Sequence, residues 1–243
     1  MVVLRRHRLV WLGDAGWGEV QRQPRDDQAR ACVAHWAAHH LPLVVTQQAA
    51  PTQVGASTAA VLALGLAAPG RWGRRKIALQ VPAHRALYYG DFPLAADVAG
   101  LLPKPVRGAW LAWCEALDRL GVTARVHGSH GWQRLTGLAY LHAASDLDLH
   151  VAVDGVLKGD AVTELLCAAP PSGPCLDGEL VFDDGAAVAW REWLQWRRGH
   201  VDRVLVKRLH GVALESGTAC LQSDAPAWCK RPVVECSDAG VDA

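Results

Sequence analysis

The sequence is expected to fold as an α/β protein, a mixed sheet with helices preceded by a smaller N-terminal α/β domain. Three observations predict this. Strand-like alternation and helical three-to-four spacing follow one another along the chain. Gly100, Pro103 and Pro105 mark a break between two stretches of domain size, placing the expected boundaries at 1–100 and 101–243. A chain of 243 residues that is 51% hydrophobic carries enough apolar surface for a sizeable core.

In the first stretch, Pro24, Asp26 and Asp27 open a segment running to residue 40, with Ala31, Val33, Ala34, Ala37 and Ala38 set among polar positions. Proline and acidic residues suit the first turn of a helix, so a capped helix is expected. Leu41 to Val45 reads as a strand. The apolar run Ala59 to Ala67, the turn-like Pro69-Gly70-Arg71 and the run Lys76 to Val81 suggest a hairpin or two neighbouring strands. Between these runs Arg71, Arg74, Arg75 and Lys76 cluster. Such a cluster is either a solvated turn or a phosphate-binding corner.

After Pro105, Trp110, Trp113, Cys114, Leu117 and Leu120 recur at helical spacing, and Gly121 follows as a helix stop. Val122 to Val126 alternates as a strand and runs into Gly128-Ser129. Trp132, Leu135, Leu138 and Ala139 then have the spacing of a short helix. Strand, Gly-Ser turn and helix together make a phosphate cradle: glycine allows close backbone approach, and amides at a helix start favour anions.

In Ser145 to Val153, period-2 alternation sends Leu147, Leu149, Val151 and Val153 to one face and Asp146 and Asp148 to the other. Carboxylates two residues apart on a strand are about 6.5–7 Å apart at Cα, close enough to converge on shared cations. Hard oxygen ligands favour magnesium or manganese, and paired ions can clamp both oxygens of a phosphoryl displacement. Cys175 to Phe182, the turn Asp183-Asp184-Gly185 and the run Ala186 to Trp190 read as a hairpin. There Asp177 and Glu179 point the same way, and either could complete the metal site and take a proton from an incoming hydroxyl. Arg203 to Leu209 reads as a further strand on which Lys207 and Arg208 face opposite sides.

Composition narrows the function classes. Lys+Arg 25 against Asp+Glu 24 gives no bulk attraction to polyanions, so no nucleic-acid partner is expected. The longest apolar run, Val54 to Gly70, is broken by Gly55, Ser57, Gly65 and Pro69 and falls short of the ~20 residues of a membrane span. No membrane association is expected. Neither is a secretory signal, and a cytoplasmic location follows. The seven cysteines include no C-x-x-C pair, and a zinc site from Cys220, Cys229, Cys236 and His210 matches no usual spacing. The eleven tryptophans are read as packing residues.

The run GSHGWQRLTGLAYLHAASDLDL resembles the phosphoribosyl-dephospho-CoA transferases, also called malonate decarboxylase holo-acyl-carrier-protein synthases. Further support comes from RHRLVWL near the start, LPLVV at 41–45, GRRKIAL at 73–79, LDGELVF at 176–182, VAWRE at 188–192 and VLVKRLHG at 204–211. Gly-Ser followed by D-x-D is also the signature of DNA polymerase beta-type nucleotidyltransferases. The resemblance implies a nucleotidyltransferase-like sheet in the second domain. It implies transfer of a prosthetic group from 2′-(5″-triphosphoribosyl)-3′-dephospho-CoA to a serine of the malonate decarboxylase acyl-carrier protein, releasing pyrophosphate. Asp146 and Asp148 would be the metal-binding pair, and Gly128 and Ser129 would hold the triphosphate. Charge balance adds Arg74, Arg75 and Lys207 as expected donor contacts. Thr46-Gln47-Gln48 stands after LPLVV where the family often has arginine, and the stretch after Leu214 departs from the family pattern. The competing readings are another nucleotidyltransferase acting on a small-molecule or protein hydroxyl, and a non-catalytic binding module. A module of that kind would be expected to have lost Asp146 or Asp148, and the sequence keeps both.

Overall fold

A computed structural model of the chain describes residues 4–50, 60–169 and 173–216. The N-terminal sheet consists of β1 (Leu9–Leu12), β2 (Leu43–Val45), β3 (Val61–Ala67), β4 (Lys76–Pro82) and β5 (Ala86–Gly90), all antiparallel, in the order β4-β3-β2-β1-β5. Helices α1 (Asp14–Arg22) and α2 (Asp27–Ala38) pack on it. The expected cap of α2 is present, with the Asp26 side chain accepting from the Ala29 amide at 2.9 Å. Ala29, Cys32, Val33 and Trp36 of α2 are buried at helical spacing against Leu9, Leu43, Leu64 and Leu79. The expected hairpin forms with β3 and β4 paired from Val61↔Pro82 to Ala67↔Lys76.

The second part runs α3 (Arg107–Arg119), β6 (Thr123–Val126), α4 (Gly128–Thr136), β7 (Leu147–Ala152), α5 (Val156–Cys167), β8 (Leu176–Val181), β9 (Ala187–Ala189), α6 (Trp190–Arg197), β10 (Val204–Arg208) and β11 (Gly211–Glu215). Its six strands form a mixed sheet ordered β11-β10-β9-β8-β7-β6, in which β7 and β8 are parallel and the other pairs antiparallel. A parallel pair needs a crossover, and α5 supplies it. Leu147, Leu149 and Val151, with Leu180, Val188 and Val206, form the covered face beneath α3, α5 and α6. The opposite face carries the polar side chains. The α/β fold, a mixed sheet after a smaller N-terminal unit, is therefore as expected.

The run Ala186 to Trp190 differs from expectation. Only Ala187–Ala189 is strand, and Trp190 begins α6. Trp190 and Trp193, three apart, are both buried in the core, so helical packing of two indoles overrides the strand-like run before them. Tryptophan serves as packing elsewhere too, with Trp17, Trp36, Trp110, Trp113 and Trp132 buried. Cys32 and Cys114 are buried and Cys167 and Cys175 exposed, all as free thiols. Cys220, Cys229 and Cys236 lie outside the described residues. Among those described, no helix is long and apolar enough to cross a membrane.

Helix α4 is the seam between the two parts. It follows β6 of the second sheet, yet its Trp132 is buried in the first core, edge-on to Phe92 at 5.3 Å and to Trp36 at 6.5 Å between ring centroids. After it, the Tyr140 hydroxyl donates to the Ala67 carbonyl at 2.6 Å, holding the turn end of the β3–β4 hairpin against the second part.

Candidate active site

Strand register builds the site. On the parallel β7–β8 pair Asp148 is opposite Asp177 and His150 is opposite Glu179. Glu179 is in turn opposite Ala189, and Lys207 opposite Ala187, so these groups share the polar face. Asp146 precedes β7 by one residue, and alternation turns its side chain to the same side as that of Asp148. All four sequence-predicted carboxylates thus lie together.

The start of α4 meets them. His127 donates its amide to the Asp148 carbonyl at 3.0 Å, and the buried His130 ring lies 3.0 Å from the Asp146 carbonyl. Gly128 has φ +57°, and a Cβ there would lie 1.7 Å from Asp148 Oδ2. Only glycine lets the helix start and the carboxylate approach so closely. Ser129 follows in the first turn, where the amides of this nine-residue helix point their partial positive charge outward.

Burial pushes the Asp148 carboxyl up to about 6, with Asp177, Asp146 and Glu179 adding repulsion and Lys76 opposing it. Asp146, Asp148 and Asp177 thus present an all-oxygen donor set, the kind that hard divalent ions such as magnesium or manganese take. The two candidate third carboxylates differ. Asp177 is exposed, whereas Glu179 is 9% exposed and its Oε1 accepts from Lys207 Nζ at 2.6 Å. Burial would raise the Glu179 pKa, but the neighbouring imidazole and ammonium outweigh it and hold the group ionised.

Around Glu179 stand three histidines that sequence reasoning passed over. His7, just before β1, His127 and His150 have ring centroids 4.6–5.4 Å apart. Burial first, and then mutual repulsion, holds His7 well below its ordinary pKa and His127 down to about 4. His150 was within reach of the sequence, because it continues the alternation of Asp146 and Asp148. His7 was not, being brought in by the N-terminal sheet.

The basic cluster divides. Arg75 makes two bonds to the Asp26 carboxylate, at 2.8 and 2.6 Å, while Arg71 lies over the Trp72 ring, 3.7 Å from its centroid. Gly73 and Arg74 form the turn with φ of 74° and 54°. Lys76, at the start of β4, is the member whose field reaches Asp148. A cavity of about 790 Å³ runs beside β4 and is lined by Arg25, Asp26, Arg75 and Lys76 among others, with none of the site carboxylates in its wall. Lys207 faces the site and Arg208 pairs with Glu215 and Asp184, as their opposite orientations require.

Residues 5–87 match the family model of the phosphoribosyl-dephospho-CoA transferase MdcG N-terminal domain, and residues 93–218 that of the MdcG C-terminal domain. Curated relatives include a phosphoribosyl-dephospho-CoA transferase of Bradyrhizobium diazoefficiens, 33% identical over 217 residues, covering 86% of this chain and 88% of that one. Proteins of the same name from Xanthomonas campestris pv. campestris (34% identical, 88% and 95% covered) and Xanthomonas axonopodis pv. citri (37%, 83% and 89%) are similar along comparable lengths. No solved structure matches the chain.

Proposed function

The chain belongs to the phosphoribosyl-dephospho-CoA transferase family, and from that premise we propose that it attaches the prosthetic group of 2′-(5″-triphosphoribosyl)-3′-dephospho-CoA to a serine of the malonate decarboxylase acyl-carrier protein. The observation that carries this reading is the packing of the Gly128-Ser129 helix start directly on Asp148, itself flanked by Asp146 and Asp177. That arrangement supports a phosphoryl-transfer reading, because carboxylates of one sheet face are set against the amides of a helix start.

Asp146, Asp148 and Asp177 would hold magnesium or manganese, which when bound offsets the charge of the triphosphate and of the breaking bond. The amides at Gly128 and Ser129 receive the phosphate oxygens. The carrier serine oxygen forms a bond to the α-phosphorus, the bond from that phosphorus to the bridging oxygen breaks, and pyrophosphate leaves. The serine proton passes to a carboxylate, and Asp177 is better placed than Glu179 because it is exposed and not committed to Lys207.

The test is mass spectrometry of the intact carrier protein after incubation with donor and enzyme. The expected result is a gain equal to the attached group, lost more than 100-fold in Asp146→Ala and Asp148→Ala and in excess chelator, and restored by magnesium. Full transfer in chelator would overturn the metal-assisted reading, and an unmodified carrier would overturn the acceptor.

A further inference from the structure

The cluster around Glu179 has features that the transfer reaction does not use. His7 Nε2 lies 3.8 Å from Glu179 Oε2, and His150 Nε2 lies 3.6 Å from the same oxygen. One ligand atom from each of the three residues falls within 4.8 Å of the others. Those separations are too long for hydrogen bonds. The 3.6 and 3.8 Å separations from Glu179 Oε2 are close to the edge of a coordination tetrahedron, which is about 3.3–3.4 Å for metal–ligand bonds of about 2.0–2.1 Å. His150 Nε2 and Glu179 Oε2 are buried atoms without a hydrogen-bond partner among the described residues. Buried polar atoms are ordinarily paired by hydrogen bonds, and these two face each other and His7 Nε2 across 3.6 and 3.8 Å without closing one.

We propose that His7 Nε2, His150 Nε2 and Glu179 Oε2 form a second metal site, separate from the aspartates, for a divalent ion of the zinc class. Two imidazoles and one carboxylate are a zinc donor set, in contrast to the all-oxygen set at Asp146, Asp148 and Asp177. Lys207 occupies Oε1 of Glu179, so its ammonium neutralises that oxygen and leaves Oε2 for the ion. His127, with its ring beside both histidine ligands and its own Nε2 unpaired, forms the wall of the site. A cavity of about 220 Å³ bordered by Arg5, Thr123 and Arg125 has His150 in its wall.

The ligands come from different parts of the molecule. His7 belongs to the segment before β1, held by its amide on the Val45 carbonyl at 3.1 Å and in the left-handed conformation at φ 61°, while His150 and Glu179 lie on β7 and β8. An ion shared among them clamps the N-terminal part onto the catalytic sheet, one strand step from Asp148 and Asp177. The site does not depend on which acceptor or donor the enzyme uses.

The test uses the full chain stripped with chelator and then kept in excess magnesium, so that the aspartates are supplied. Zinc is titrated by calorimetry and cobalt(II) by visible absorption, with thermal midpoints recorded in parallel. The expected result is one equivalent of zinc, a raised midpoint and cobalt bands of low coordination number. His7→Gln and His150→Gln should each weaken binding at least 100-fold and abolish the rise in midpoint, while Asp148→Asn changes affinity less than threefold. Because His7→Gln alters a segment outside both cores, its metal-free midpoint is expected to match that of the unaltered chain, which separates loss of a ligand from loss of the fold. No stoichiometric zinc binding, or binding that survives both histidine changes and disappears in Asp148→Asn, would overturn the proposal.

Discussion

Asp148 and Asp177 stand opposite each other as register partners on the parallel β7–β8 pair, so the crossover through α5 places two carboxylates side by side. An antiparallel partner strand would have reached this position by a short turn, without the helix. The parallel arrangement instead sets both strands running in one direction from the end that meets α4, which is where Asp146, Asp148 and Asp177 gather.

This crowding is costly when no cation is present. Burial and the acidic neighbours raise the Asp148 pKa from 3.8 to about 6. A raised folded-state pKa means that the group's contribution to stability is full below about 3.8 and is lost as pH rises through about 6. Asp148→Asn should therefore stabilise the metal-free protein at pH 8. The shift would correspond to about 3 kcal/mol if the group were fully buried, and solvent screening of its exposed part reduces this to about 1–2 kcal/mol. The thermal midpoint in chelator should rise by about 2–6 °C at pH 8, with the gain gone by pH 4. Magnesium should raise the midpoint of the unaltered protein and not that of the variant. A lower midpoint for the variant at pH 8 would show that Asp148 is stabilised by partners rather than strained by repulsion.

Much of this site was legible because β7 alternates cleanly. Leu147, Leu149 and Val151 declare the buried face, and the remaining positions, Asp146 and Asp148, must share the other. The short helix after Gly128-Ser129 was legible from Trp132 and Leu135, although it ends at Thr136, stopped by Gly137 at φ 70° before the expected Leu138 and Ala139. Spacing did not show that Trp132 is buried in the first core, because it shows a buried stripe and not its partner. Strands β1, β5 and β11 and helices α1 and α5 left weaker traces. In α5, buried Gly159, Val162, Thr163 and Leu166 mix small, polar and apolar side chains, so the amphipathic pattern is blurred. Period 2 left Asp177 and Glu179 equivalent. Their different environments arise from neighbours on other strands, Lys207 from β10 and His150 from β7, which no local pattern encodes.

Gly128 offers a direct test of how close the helix start must come. A methyl at this position would sit 1.7 Å from Asp148 Oδ2, on a backbone with φ +57° that L-residues rarely adopt. Gly128→Ala should fold, with about 1–3 kcal/mol lost to backbone strain and to displacement of the carboxylate. Its rate of transfer should fall at least about 100-fold, since a shift of about 1 Å in a catalytic group has that effect. Circular dichroism and a carrier-modification time course separate the two consequences. A variant that folds and transfers at the original rate would show that the contact between α4 and Asp148 is not part of the catalytic geometry.

The last expectation concerns the cations that meet the donor. A triphosphate and a diphosphate linkage together carry more charge than helix amides and two divalent ions offset, so side-chain cations must supply the remainder. Lys76 lies close enough for its charge to act on Asp148, and Lys207 stands on the same face at Glu179. The fork of Arg75 is already filled by Asp26, and a phosphate would have to displace that carboxylate to bind it. Donor affinity should accordingly fall more than tenfold in Lys76→Ala and in Lys207→Ala, the loss of about 1.5–3 kcal/mol that a charge-assisted contact carries. Lys207→Ala also leaves Glu179 buried without its ammonium, so Lys207→Arg, which keeps the charge, should recover most of the binding. Arg74→Ala tests the turn itself, and Arg75→Ala should change affinity less than twofold. Equal losses in Arg75→Ala and Lys76→Ala would place the donor phosphates in the 790 Å³ cavity beside β4, where both side chains form part of the wall. Unchanged affinity in all four alanine variants would move the phosphates away from the hairpin and from β10 altogether.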